Sequence, residues 1–140
     1  MSKLKRAFKI VITNWIHFIG FYVTTYLTLI VFKIFGLENA GTDPWSEFLI
    51  ETLVGILVLF FTYGLLVISA FFGILILLDL ILFNINRLKV LEILLIEWAI
   101  LIIPFIYWGF EYDYPLWFIL SLSFLGTQLM RKKELEKIKN

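Results

Sequence analysis

Long apolar runs bracketed by three short basic clusters constrain this chain more than any other feature. Lys3, Lys5, Arg6 and Lys9 form the first cluster, Arg87 and Lys89 the second, and Arg131, Lys132, Lys133, Lys137 and Lys139 the third. Basic residues at span ends are retained on the cytoplasmic face of a membrane. An even number of crossings between successive clusters then puts all three on that face. The acidic residues Glu38, Asp43, Glu47, Glu51, Glu111 and Asp113 fall in the opposite connections. Lys33, the remaining basic residue, lies one turn from a span end and can snorkel outward. The expected topology is a four-helix transmembrane bundle of the all-α class, with both ends cytoplasmic and the Leu37 to Glu47 loop outside.

Composition supports a single membrane domain over residues 1–140. The chain is 61% hydrophobic and 16% charged, outside the balance of a soluble domain. A hydrocarbon core of ~30 Å needs about 20 apolar residues per helix, so the length permits roughly four spans and no further soluble domain. A net charge of +1 gives no pull toward nucleic acid, so the lipid bilayer is the expected partner, its anionic headgroups meeting the basic tail from Arg131. With no cysteine, disulfides, thiolate metal sites and thiol redox motifs are excluded.

The spans are expected at about 10–35, 48–84, 88–110 and 115–130. The first follows a basic segment, as a secretory signal would, but is longer than a signal core and carries Asn14, His17 and Lys33; it reads as a retained helix ended by Gly36. The second is the anomaly. From Thr52 to Phe83 the sole charged residue is Asp79, and a straight helix of that length would measure about 48 Å. It must therefore bend, protrude or re-enter, with Tyr63 and Gly64 the expected place. Two full crossings there would move the last basic cluster outside. The tight turn from Asn84 to Arg87 sets the second and third runs as a hairpin, which levels Phe110 with Thr62 and leaves Thr52 to Phe61 overhanging. Pro104 is expected to kink the third run, and the fourth is short. Trp45, Tyr107, Trp108, Tyr112, Tyr114 and Trp117 form an outer aromatic belt.

Polar residues within spans are costly and mark sites. Asn14, Asp79, Glu92, Thr127 and Gln128 count as shallow, with His17, Glu97 and Ser123 in a deeper layer. Asn14, His17, Phe21, Thr25 and Thr28 share one helical face by spacing, a stripe expected to face protein. His17, Glu97, Asn14 and Ser123 form the candidate intramembrane polar site, with Glu97 expected within hydrogen-bonding reach of His17. Asp79 and Glu92 are expected to pair with Arg87 and Lys89 as an interfacial charge cluster. Gly55, Thr62, Ser69 and Gly73 recur at helical spacing and form a candidate packing face, either within the chain or between subunits.

Enzyme readings fail on missing parts. One histidine excludes a bis-histidine haem and multi-histidine metal boxes, and no phosphate-binding glycine loop, paired aspartates or serine elbow is present. No cofactor or metal is expected. In length and helix count the chain is similar to small multidrug transporters and small fluoride channels. It lacks the central first-helix carboxylate of the former and the glycine- and asparagine-rich pattern of the latter. The leading expectation is a non-enzymatic multi-pass inner-membrane protein, a helical subunit that assembles with itself as a homo-oligomer or with a larger membrane-protein partner. The alternative is a small oligomeric channel or transporter moving protons or cations past Glu97 and His17. A membrane-acting defence, toxin or immunity protein is the third.

Overall fold

The computed structural model describes residues 3–37, 44–85 and 87–139. All regular structure among them is helical: α1 (Lys3–Ile12), α2 (Trp15–Phe35), α3 (Trp45–Phe61), α4 (Leu65–Leu82), α5 (Val90–Leu101), α6 (Ile103–Glu111) and α7 (Leu116–Lys139). Three helical stretches are long and apolar enough to cross a membrane: Lys3–Phe35, Leu65–Leu82 and Val90–Glu111. Many large apolar side chains face outward, Leu66 and Phe110 among them at 82% and 76% exposure. Such an exterior suits lipid as solvent.

Each long run is broken where its sequence supplies a reason. The first begins at Lys3, seven residues before its expected start, and α1 gives way to α2 at Thr13 and Asn14: the Thr13 hydroxyl donates back to the Ile10 carbonyl and accepts from Arg131, while the Asn14 side-chain amide donates to Asp79. Gly36 closes α2 in the left-handed conformation (φ 62°), with the Leu37 amide bonded to the Phe32 carbonyl, a cap that a Cβ would strain. The expected outer loop follows, and residues 38–43 of it lie outside the described residues, as does Asn86 of the second turn.

The second run bends where Tyr63 and Gly64 were expected to bend it. The Thr62 hydroxyl donates to the Val58 carbonyl, and the Gly64 amide to Leu59. A Cβ on Gly64 would stand 2.9 Å from the Leu59 carbonyl oxygen, so the fold-back needs glycine. No overhang results, contrary to the hairpin levelling. α3 lies antiparallel along α2: the Lys33 ammonium sits over the Trp45 and Phe48 rings, the Tyr22 hydroxyl donates to the Leu53 carbonyl, and the Phe18 ring meets Phe60. Beyond the break α4 packs on α5 and α1, with the Phe71 ring meeting Phe21 of α2 and Asp79 accepting from Asn14 at the α1–α2 break. Two short helices thus replace one overlong span.

Pro104 interrupts the third run as expected, between α5 and α6. The fourth run is not short. α7 holds 24 residues, about 36 Å, because the basic tail continues the helix. It is also central, packing against α1, α2, α5 and α6. Its buried positions Leu120, Ser121, Phe124, Thr127, Gln128, Arg131 and Leu135 fall on one stripe by three- and four-residue spacing.

Candidate functional site

That stripe carries Arg131 into the interior, where its side chain is about 1% exposed. A helical side chain slants toward the helix N-terminus, so a residue just past the apolar stretch of α7 reaches back into the bundle. Each of the three guanidinium nitrogens finds an acceptor. Nη2 donates to both Asp79 carboxylate oxygens at 3.0 Å, and Nε donates to the Thr13 hydroxyl at 3.0 Å. Nη1 donates to Gln128 Oε1 at 2.7 Å and faces His17 Nε2 at 3.4 Å. Glu97 Oε2 lies 3.7 Å from the same nitrogen and accepts a bond from Gln128 Nε2 at 2.9 Å.

The other members complete one another. Asn14 Nδ2 donates to Asp79 at 2.7 Å. His17 Nδ1 is 2.6 Å from the Thr127 hydroxyl, whose single hydrogen is directed to the carbonyls of Ser123 and Phe124. The hydroxyl therefore accepts, the ring proton sits on Nδ1, and Nε2 is left as acceptor toward Arg131. Asp79, Glu97, His17 and Gln128 are fully buried. Among the described residues two buried side-chain acceptors have no partner, Asn14 Oδ1 and Glu97 Oε1.

The expected polar stripe of α2 does face protein, since Asn14, His17, Phe21, Thr25 and Thr28 are all buried. His17 and Glu97 belong to one cluster, but Arg131 and Gln128 stand between them, and no direct bond joins the two. Ser123 is set apart, half-buried, its hydroxyl 2.6 Å from that of Thr24 where α2 and α7 approach. Gly20 permits that approach, because a Cβ there would collide with the Thr127 methyl.

The interfacial charge cluster is not formed as expected. Asp79 turns inward to Arg131. Glu92 accepts from the Lys89 amide at 2.7 Å and caps α5, which satisfies an end amide that the helix itself leaves free. Arg87 and Lys89 remain exposed. Among the described residues the packing face does not form either: α3 and α4 are separate helices, Thr62, Ser69 and Gly73 are exposed, and a Cβ on Gly55 or Gly73 would meet nothing within 4 Å.

Arg131 is the member that sequence reasoning assigned elsewhere, as a topological anchor. Its spacing from Phe124, Thr127 and Gln128 was the available signal. Beyond the cluster, toward the middle of the bundle, a layer of Phe21, Phe71, Phe105 and Phe124 packs with ring centroids 5.0 to 6.2 Å apart. The His17 ring meets Phe124 edge-on at 4.9 Å, so polar cluster and aromatic layer are in direct contact. No family model, curated protein or solved structure matches the chain.

Proposed function

We propose that this protein is a non-enzymatic, multi-pass membrane subunit that assembles laterally in the bilayer, with itself in the first instance. The observation that carries the reading is the contrast between a polar interior whose arginine is bonded to protein at every nitrogen and an apolar exterior with unfilled small-residue positions. Every guanidinium nitrogen of Arg131 is engaged within the protein, and the phenylalanine layer closes the cluster on its inner side. Such a network holds helices in register where water exclusion cannot. The outward positions Ser69 and Gly73 on α4 let a neighbouring helix come close.

The same reading has four crossings and both ends of the chain cytoplasmic. α3 and α4 together make the second crossing. Because Arg131 is satisfied by protein, the embedded part of α7 extends past Met130, which gives the fourth crossing adequate length. Reporter insertion at Thr42 should read as external and fusion at Lys139 as cytoplasmic; the reverse at Lys139 overturns the topology.

The absence of cysteine makes assembly directly testable. Gly73→Cys in an otherwise unchanged chain should give an oxidant-dependent cross-linked dimer in membranes, whereas a cysteine at Leu66, on the same helix, should cross-link less. Equal monomeric behaviour of both, with a monomeric mass in mild detergent, sinks self-assembly.

The unpartnered oxygens of Asn14 and Glu97 favour one second reading, a proton or cation site at the cluster. Glu97→Gln keeps the shape and the acceptor for Gln128, and leaves one carboxylate for one guanidinium. It should preserve folding and assembly in either case. Loss of a pH-dependent flux in liposomes on that substitution would support the transport reading, and absence of any flux in the unmodified protein removes it.

A further inference from the structure

The end of the bundle that holds both chain ends carries a cavity of about 540 Å³. Three separate segments bring cations to it: Arg6 from α1, Arg87 and Lys89 from the turn before α5, and Lys139 from the end of α7. The structure holds them there. Arg6 donates to the Phe83 carbonyl at 3.2 Å, and the Lys139 ammonium donates to the carbonyls of Leu88 and, at 3.4 Å, Ile85. These bonds go to uncharged groups.

Among the described residues the counter-charge is sparse. Among the described residues no carboxylate lies within 4.0 Å of any of the four cationic groups. The one acidic residue of the lining, Glu136, pairs with Lys132 at 3.7 Å. Glu92 is committed to the Lys89 amide, and Asp79, the carboxylate expected here, is engaged by Arg131. Burial and the nearby Arg6 guanidinium hold the Lys139 ammonium below its ordinary range, with Glu92 offsetting them in part. The first turn of α5 opens on the same space through Val90, adding the positive end of a helix.

We propose that this cavity binds a phosphate group, carried by an anionic membrane lipid or free in solution. Arginine supplies paired donors for phosphate oxygens and lysine a mobile charge, and basic pockets between membrane helices suit lipid headgroups. The site is distinct from the Arg131 cluster and does not depend on how the chain assembles.

The full chain in mild detergent, titrated with phosphatidylglycerol or phosphatidylcholine and read by native mass spectrometry, tests it. Phosphatidylglycerol should be retained in preference to phosphatidylcholine. Arg87→Gln with Lys89→Gln, two exposed positions, should weaken that retention roughly 25-fold, on the order of fivefold for each basic residue. Lys133→Gln with Lys137→Gln removes the same charge from the surface outside the cavity and should change it little. Inorganic phosphate at millimolar concentration separates the sources. If it displaces the lipid and stabilises the unmodified protein but not Arg87→Gln with Lys89→Gln, the site takes free phosphate as well; if only the lipid responds to that variant, the headgroup is the ligand. On the unmodified protein, retention should also fall as salt rises. Equal retention of both lipids, equal loss in the two variants, or retention indifferent to salt overturns the proposal.

Discussion

The two halves of this bundle are held together by different physics. On one side of Phe124, charged and amide groups from α2, α4, α5, α7 and the α1–α2 break meet around a single guanidinium, each contact fixed in distance and direction. On the other side α2, α4, α6 and α7 meet through phenylalanine and tryptophan rings, such as Phe105 on Trp117 at 6.0 Å, where shape and dispersion dominate. In water the aromatic half would dominate. In lipid, tails are as apolar as the rings, so the transfer advantage of burying them is lost and only packing remains. The polar half then supplies register: a helix displaced by one residue leaves a buried donor or carboxylate unpaired, a cost of several kcal/mol.

That asymmetry orders the expected mutational effects. Arg131→Met removes the shared partner of Asp79 and Gln128 and leaves Asp79 and Glu97 as two buried carboxylates without a cation. Its cost should be the largest in the molecule, ~3–5 kcal/mol, read as loss of the folded fraction in detergent denaturation. Adding Asp79→Asn to that variant should recover part of the loss, since the orphaned charge and not the missing contact dominates. No recovery would mean that the network acts only through shape. Phe124→Ala comes next. A fully buried phenylalanine in a water-soluble core costs ~3–5 kcal/mol to truncate, and here the cost should fall below that because the transfer part is absent. A cost for Phe124→Ala that exceeds Arg131→Met would reverse the comparison.

How much of this was legible in the sequence follows from the same distinction. Helical class, the bend at Tyr63 and Gly64, the break at Pro104 and the cap at Gly36 are local, set by residues adjacent to the event. The inward stripe from Asn14 to Thr28 was legible because helical period alone places it. Partner choice was not. Asp79 lies eight residues before Arg87 in sequence but bonds Arg131, 52 positions away, and nothing in a one-dimensional charge map says which cation a carboxylate will reach. Arg131 was misplaced because the basic-residue rule treats every arginine after a span as an anchor, while the slant of its side chain carries the charge back inside. The length of α7 was underestimated for the same reason. Counting apolar residues measures what lipid tolerates, and α7 continues past its apolar stretch through the basic tail, with Arg131 turned into the protein.

The smallest expected effects sharpen the difference between contacts within the chain and contacts beyond it. Gly20 and Gly73 are both helical glycines, yet only Gly20 faces a neighbouring helix. Gly20→Val would drive α2 from α7, straining the Thr127 hydroxyl bonded to His17 and the Thr24 to Ser123 contact at once. Overpacking of this kind costs ~1–3 kcal/mol, and it should appear as a lower midpoint in thermal unfolding of the monomer. Gly73→Ala meets open space and adds helix propensity, so monomer stability should stay within about 0.5 kcal/mol or rise slightly. Gly73→Val should leave the monomer similarly folded. If Gly73 is a close-approach position between subunits, however, the larger side chain should weaken association in a bilayer, measured by energy transfer between labelled chains over a range of protein-to-lipid ratios. Unchanged association alongside an unchanged monomer would remove Gly73 from any interface. An unstable monomer would show that α4 packs more closely within the chain than its open exterior implies.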